Sequence, residues 1–62
     1  MAGKKPSVSR VEIYKDEAGE FRWRGIARNG RVIAESGEGY NNRMYCQKMA
    51  RALFPLAVIQ FL

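Results

Sequence analysis

The 62-residue chain carries eleven lysine and arginine residues against six acidic ones, which gives a formal charge of +5. A domain of this size buries only about 60% of the surface that its unfolded chain exposes, so it is marginally stable by itself. The single cysteine, Cys46, excludes an internal disulfide, and the absence of histidine argues against a zinc site. We therefore expect self-association to supply the missing stability.

No targeting or membrane signal is apparent. The N-terminal lysines are not followed by an apolar run, so no signal peptide is expected, and no stretch of about 20 apolar residues occurs. A lone thiol fits a reducing compartment. The sequence therefore predicts a cytoplasmic protein with no membrane partner.

The chain is expected to consist of a disordered leader over residues 1–8 and a single domain over residues 9–62. Apolar and polar residues alternate from Arg10 to Tyr14, which predicts the first strand. A three-residue loop with Gly19 at its left-handed position would follow and would pair Ile13 with Trp23. A four-residue loop would shift that register by one residue and put the apolar set on the wrong face.

The dipeptide Asn29-Gly30 predicts a second hairpin. Asn tolerates positive φ and Gly adopts it freely, so a two-residue type I′ turn is expected. That turn pairs Ala27 with Val32, Ile26 with Ile33 and Gly25 with Ala34, and it places Arg24 between Glu12 and Glu35. One sheet face would then be a core face formed by Val11, Ile13, Phe21, Trp23, Gly25, Ala27, Val32 and Ala34. The other, mixed face would carry Glu12, Tyr14, Arg22, Arg24, Ile26, Ile33 and Glu35.

A helix is predicted from Arg43 to Phe54, with Asn41 or Asn42 as its N-cap and Pro55 as its stop. The segment before it, Ser36-Gly37-Glu38-Gly39, lacks the Lys-Ser/Thr of a phosphate loop and is interpreted as a structural turn. An apolar stripe recurs at i, i+3, i+4 and i+7 and should pack on the Trp23 face, with Gly25, Ala27 and Ala34 leaving room for it. The stripe consists of Cys46, Met49, Ala50 and Leu53.

The last seven residues are apolar on both alternating faces, which predicts a strand buried on both sides. A monomer has only one sheet face to offer such a strand. The expected cover is a second copy of the chain, by edge pairing or by exchange of this arm. The candidate dimerisation residues are Leu56, Val58, Ile59, Phe61 and Leu62.

The pieces EIYKD (12–16), GEFRWR (19–24), the RNG turn and IAESGEGY (33–40) resemble the YegP-like family, also known as domain of unknown function 1508. The resemblance implies a unit of about fifty residues that occurs as a tandem repeat or as a dimerising single copy. It implies no activity. The sequence departs from the family pattern at the start and end of the helix and in the apolar tail. The resemblance therefore does not specify how two copies would pack in a dimer. The expected fold is α+β: a three-stranded antiparallel meander packed by one C-terminal helix, with a short apolar C-terminal strand, in a homodimer.

No catalytic constellation is present, because the chain lacks histidine, paired buried carboxylates and an activated nucleophile. We predict no enzyme activity, no metal site and no cofactor. The predicted function is a small non-enzymatic homodimeric interaction module that binds another macromolecule, with inhibition of a partner protein as one form. The candidate binding residues are Tyr14, Arg22, Arg24, Arg28, Arg31, Glu38, Tyr40 and Arg43.

Two alternatives stay open. One is nucleic-acid binding through the Arg-rich sheet face, with Lys48 and Arg51 contributing phosphate contacts and Tyr14, Tyr40 or Trp23 stacking on a base. The other is an anionic small ligand or nucleotide at the dimer interface, beside the SGEGY segment.

Overall fold

The computed structural model describes residues 7–62 and shows one helix packed on a four-stranded sheet. The elements are β1 (Val8–Lys15), β2 (Phe21–Ala27), β3 (Val32–Glu35), α1 (Arg43–Leu53) and β4 (Val58–Phe61). The strand order is β3-β2-β1-β4, with β1, β2 and β3 antiparallel and β4 parallel to β1. The α+β prediction is confirmed. Most of the predicted leader lies outside the described residues, although Val8 already belongs to β1.

The first hairpin has the predicted register, with Ile13 opposite Trp23 and Glu12 opposite Arg24. Its three-residue loop is closed by the Asp16 N–H, which donates to the Glu20 carbonyl at 2.8 Å. Gly19 has a φ of 83° and donates its N–H to the Asp16 carbonyl. Such loops need a left-handed residue at this position, and glycine adopts that conformation without strain.

The second hairpin differs from the prediction of a type I′ turn. Gly30 has a φ of 89°, but no non-glycine residue in the described chain has positive φ. The loop therefore contains three residues: the Ala27 N–H donates to the Arg31 carbonyl at 2.8 Å, and the Gly30 N–H donates to Ala27 at 2.9 Å. The Asn29 side chain accepts from the Arg31 N–H at 3.0 Å, a local bond that asparagine forms readily in turns.

The longer loop changes the register near the turn. Ile26 pairs with Val32, and a bulge restores the predicted pairs Gly25 with Ala34 and Arg24 with Glu35. The predicted pairs Ala27–Val32 and Ile26–Ile33 were therefore wrong. Val32 lies on the face opposite the core and is 47% exposed, whereas Ile26 is only 3% exposed between its sheet neighbours.

Helix α1 begins as predicted. The Asn42 side chain accepts hydrogen bonds from the backbone N–H groups of Met44 at 2.8 Å and Tyr45 at 3.1 Å. These bonds satisfy two of the donors that the first turn leaves unpaired. The helix ends at Leu53, one residue before the predicted end, because Pro55 disfavours helical backbone at the residue before it.

The core lies between α1 and one face of the sheet. It consists of Val11, Ile13, Trp23, Cys46, Ala50 and Ala57, with Phe21, Ala34, Phe54 and Ile59 packed against it. The Trp23 ring meets the Phe54 ring edge-on at 5.3 Å, a favoured aromatic geometry. The predicted burial of Trp23 and Cys46 is confirmed, but Leu53, the last residue of the predicted stripe, is exposed.

Gly25 serves a different purpose from the one predicted. A Cβ built on Gly25 would lie 2.8 Å from Cγ2 of Val8 and 3.5 Å from the Cβ of Ala34. The close neighbours are therefore side chains of the sheet itself and not the helix. Glycine at this position lets Val8 cover the central strand.

After α1, a turn closed by the Ala57 N–H and the Phe54 carbonyl leads to β4, which pairs with β1 as an edge strand. Val11 faces Ile59 and Ile13 faces Phe61. The expectation of a strand buried on both sides was wrong for this arrangement, since Val58 is 63% exposed and Phe61 is 45% exposed. An edge strand has a sheet neighbour on one side only.

Candidate interaction surfaces

The face of the sheet opposite α1, here called the charged sheet face, carries Arg10, Glu12, Tyr14, Arg22 and Arg24. Arg24 Nε donates to Glu12 at 2.8 Å, and the Arg24 guanidinium lies 4.9 Å from the centre of the Tyr14 ring. Arg10 approaches the same carboxylate at 3.5 Å. The hydrogen bond from Arg24 is the largest of the effects that lower the pKa of Glu12. Of the two carboxylates predicted beside Arg24, Glu12 forms the ion pair, and Glu35 lies opposite Arg24 on β3.

A second ion pair closes the loop end of this face. Arg22 Nε donates to Asp16 at 2.6 Å, and the other Asp16 oxygen accepts from the Glu20 N–H at 2.9 Å. These bonds, that of Arg22 first, lower the pKa of Asp16, and the same pair raises the pKa of Arg22. Arg22 and Arg24 are therefore already matched by carboxylates of their own sheet, a pairing that favours a role in holding register.

The predicted binding residues Arg28 and Arg31 lie on the β2–β3 turn and are exposed. Within residues 7–62 neither forms an ion pair. They lie at the far end of the sheet from Glu38 and Tyr40, since the turn and the SGEGY loop occupy opposite ends of β2 and β3. The fold therefore does not bring the predicted binding residues together in one patch.

The loop from Ser36 to Tyr40 is bound to β2 at both of its ends. The Ser36 N–H donates to the Trp23 carbonyl at 2.9 Å, and the Trp23 N–H donates to Ser36 Oγ at 3.2 Å. Tyr40 and Phe21 exchange two backbone hydrogen bonds of 2.8 and 2.7 Å. The loop thus supplies β2 with partners where β3 has ended, which supports its interpretation as a structural turn.

The β4 edge, formed by Leu56, Val58, Ile59, Phe61 and Leu62, is apolar and open. Leu56 is 96% exposed and Leu62 is 70% exposed. Gln60 is the one polar residue of β4, and the strand contains no charge. The Arg43 guanidinium lies 4.9 Å from the centre of the Phe61 ring, so a predicted binding residue contacts a predicted dimerisation residue here.

The outer face of α1 is formed by Met44, Tyr45, Gln47, Lys48 and Arg51. With Asn42 these residues line a shallow groove. Lys48 and Arg51 were predicted as phosphate contacts in the nucleic-acid alternative, whereas Met44 and Tyr45 were not predicted as site residues. Met44 is 73% exposed and Tyr45 is 52% exposed, although both are large and largely apolar. The helical spacing indicates this exposure, because Met44 and Tyr45 lie outside the apolar stripe that contains Cys46.

Three features of the described part of the chain bear on metal binding, thiol chemistry and membrane insertion. Residues 7–62 contain no cluster of three or more histidine, cysteine or acidic side chains that would hold a metal ion. The only thiol, that of Cys46, is buried, and burial raises its pKa. No helix in the same range combines the length and apolar character needed to cross a bilayer.

Residues 16–51, more than half of the chain, match a family described as Domain of unknown function (DUF1508). The chain belongs to this family. The matched segment starts at the first hairpin loop and ends in the last turn of α1, so β4 lies outside it. The resemblance drawn from the two hairpins and the SGEGY segment is confirmed.

Three UPF0339 proteins illustrate the similarity. That of Neisseria meningitidis serogroup B is 56% identical over 36 residues, which cover 58% of this chain and 62% of the relative. That of Methanosarcina acetivorans is 46% identical over 41 residues, or 66% of this chain and 69% of the relative. That of Stutzerimonas stutzeri is 54% identical over 35 residues, which cover 56% of this chain but only 31% of the relative.

The match thus spans about three fifths of the meningococcal relative, and no solved structure matches the chain significantly.

Proposed function

We propose that this protein is a small, non-enzymatic, homodimeric interaction module that binds another macromolecule. The observation that carries the proposal is the β4 edge. An edge strand presents unpaired N–H and C=O groups, and natural proteins protect such edges with charges, proline or bulges. β4 has none of these within Val58–Phe61.

The opposite edge of the sheet shows the contrast. β3 contains a bulge and ends at the exposed charge of Glu35, two features that discourage pairing with another chain. The two edges therefore differ in kind, and β4 is the one suited to association. Its exposed Leu56, Val58 and Leu62 would be covered by a second copy.

The lengths of the relatives support a paired unit. A match of nearly equal length covers 62% of the Neisseria meningitidis protein and 31% of the Stutzerimonas stutzeri protein, so the second relative is about twice as long as the first. A chain of double length has room for two such units. A single-unit chain would obtain the same arrangement by forming a homodimer.

The module has few groups for chemistry, so its proposed activity is binding, including inhibition of a partner protein. Nucleic-acid binding through the charged sheet face is less favoured, because Arg22 and Arg24 already bind Asp16 and Glu12. Phosphates would have to displace these carboxylates. A proposed cytoplasmic location fits the single buried thiol.

Light scattering after size exclusion, at micromolar concentration, tests the dimer. We expect twice the monomer mass of 7.1 kDa. Val58→Lys introduces a charge on the β4 edge, and Leu53→Lys introduces the same charge at an exposed apolar position on α1. Edge pairing predicts that only Val58→Lys dissociates the dimer.

Arm exchange predicts instead that the dimer survives both substitutions, because β4 would lie against β1 of the other copy in the same environment. A wild-type protein that remains a monomer at this concentration would overturn the proposed dimer. Dissociation by Leu53→Lys as readily as by Val58→Lys would show that the association is a general effect of exposed apolar surface, and it would overturn the role of β4.

A further inference from the structure

The outer face of α1 combines exposed apolar surface with positive charge. Met44 and Tyr45 expose most or half of their surface, and Lys48 and Arg51 follow one and two turns later on the same side. Side chains three and four residues apart are neighbours on a helix, so these groups form one continuous patch. The buried residues of α1, Cys46 and Ala50, lie on the other side.

This patch has no negative charge to balance it. The sequence contains no aspartate or glutamate after Glu38, whereas it contains Arg43, Lys48 and Arg51. Within residues 7–62 neither Lys48 nor Arg51 forms an ion pair. The charged sheet face is different, because its arginines are paired with carboxylates.

The first turn that carries the apolar part of the patch is held in place. The Asn42 side chain binds the N–H groups of Met44 and Tyr45, and the Tyr45 ring meets the Tyr40 ring edge-on at 5.5 Å. Tyr40 is itself joined to Phe21 by two backbone bonds. A surface that is already ordered loses little entropy when a partner binds.

We propose that the outer face of α1 is a docking surface for an acidic amphipathic segment of a partner protein. Carboxylates of the segment would bind Lys48 and Arg51, while its apolar side chains would cover Met44 and Tyr45. Exposed methionine is common at protein-binding surfaces, because its flexible side chain adapts to different partners. The proposal deepens the proposed function, since it names the surface and the chemistry of the partner.

Two other occupants fit less well. A second copy that packed its own α1 face against this one would add Lys48 and Arg51 again and no carboxylate. A nucleic acid would find only two unpaired cations here. Each phosphate contact adds only about one unit or less to the slope of log K against log[salt], so two contacts would give a low affinity. Met44 would also have no counterpart on a phosphate backbone.

The probe is a synthetic amphipathic helix with glutamates on one side and leucines beside them, titrated into the full ¹⁵N-labelled chain. We expect shifts of the amide signals of residues 44–51 and an affinity that falls as salt is added. Lys48→Glu with Arg51→Glu should weaken binding at least about tenfold. Lys15→Glu, the same change of charge as Lys48→Glu but at an exposed lysine of β1, should leave the affinity unchanged.

Met44→Ala with Tyr45→Ala should weaken binding without altering its salt dependence, which separates the apolar contribution from the electrostatic one. Circular dichroism tests whether each variant is folded. If Lys48→Glu with Arg51→Glu is unfolded, Lys48→Gln with Arg51→Gln takes its place. The proposal is overturned if the acidic helix does not bind, or if Lys15→Glu weakens binding as much as Lys48→Glu does. It is overturned as well if a lysine version of the helix binds as tightly, or if oligo(dT) binds this face more tightly.

Light scattering on the same samples keeps the two proposals apart. A monomer that still binds the acidic helix at α1 would overturn the proposed dimer and leave the docking surface intact. A dimer that does not bind it would overturn the docking surface alone.

Discussion

At the scale of single residues, the sheet depends on positions where a side chain has no room. Gly25 is one, because the γ carbons of Val8 occupy the space that a Cβ would need. Gly39 is another, because its Cβ would meet the side chain of Glu20. Gly37, in the same loop as Gly39, has open space around it. Gly25 and Gly39 are therefore required by close contacts, whereas Gly37 is not, and their sequence context does not reveal this difference.

We predict that Gly25→Ala destabilises the protein by about 1–3 kcal/mol, because the new methyl group overlaps Val8 Cγ2 in a packed region. Urea unfolding followed by Trp23 fluorescence measures the change. Adding Val8→Ala should make the alanine at position 25 less costly, since the clashing atoms are gone.

The matched control is Gly37→Ala, which should change the stability by no more than about 0.5 kcal/mol. Equal effects of the two glycine substitutions, or a double variant whose losses simply add, would contradict the contact with Val8.

At the scale of elements, hydrogen bonds of the connecting residues mark where β3 ends and where α1 begins. Ser36 binds β2 through its N–H and its hydroxyl, and Tyr40 binds it through two backbone bonds, so the edge of β2 stays paired beyond the end of β3. Asn42 then starts α1 two residues later. Between the sheet and the helix, the N–H groups of Ser36, Tyr40, Met44 and Tyr45 thus have acceptors.

We predict that Asn42→Ala destabilises the protein by about 1 kcal/mol, because the N–H groups of Met44 and Tyr45 lose their acceptor. Asn41→Ala is the control, since Asn41 is exposed and is not the N-cap. Urea midpoints of the two variants are compared under the same conditions. A loss with Asn41→Ala equal to that with Asn42→Ala would show that the cap has been assigned to the wrong residue.

At the scale of the whole molecule, charge is divided between two surfaces. Carboxylates offset the arginines of the sheet, whereas the segment after Glu38 carries only positive charge. This division makes the stability of the fold sensitive to the protonation of a few acids. It also leaves α1 as a basic surface, separate from the unpaired Arg28 and Arg31 of the β2–β3 turn within residues 7–62.

We predict that acid destabilises the fold. The pKa values of Glu12 and Asp16 are lowered by folding from their ordinary values of 4.5 and 3.8, so the unfolded chain binds more protons than the folded one in acid. The contribution of these groups is complete above about pH 5 and is lost as the pH falls through their folded pKa values. Urea midpoints measured across this range should therefore decline.

Glu12→Gln combined with Asp16→Asn should lower the midpoint near neutral pH and flatten its decline in acid. Glu38→Gln removes an exposed carboxylate that forms no ion pair within residues 7–62, and it should keep the decline. A midpoint that stays constant or rises on acidification would show that the ion pairs of the sheet contribute nothing to stability.

Local sequence was sufficient to determine the elements of this protein. The loop ending at Gly19, the N-cap at Asn42 and the stop at Pro55 depend on residues close in the chain, so the first hairpin and the helix were predicted within one or two residues at most boundaries. The burial of Trp23 followed from alternation along β2. Turn and cap preferences are short-range properties of the backbone, which is why the sequence alone reveals them.

Only the tertiary structure decided where the elements met. The loop at Asn29 has one residue more than predicted and contains a local bond from the Arg31 N–H to the Asn29 side chain, and a bulge at Ile33 compensates for the extra residue across the sheet. The apolar tail lay beside β1 as a parallel edge strand, and Met44 and Tyr45 faced outward on α1. The bulge and the position of the tail depend on pairing between residues far apart in the chain, and neither spacing nor composition records such contacts.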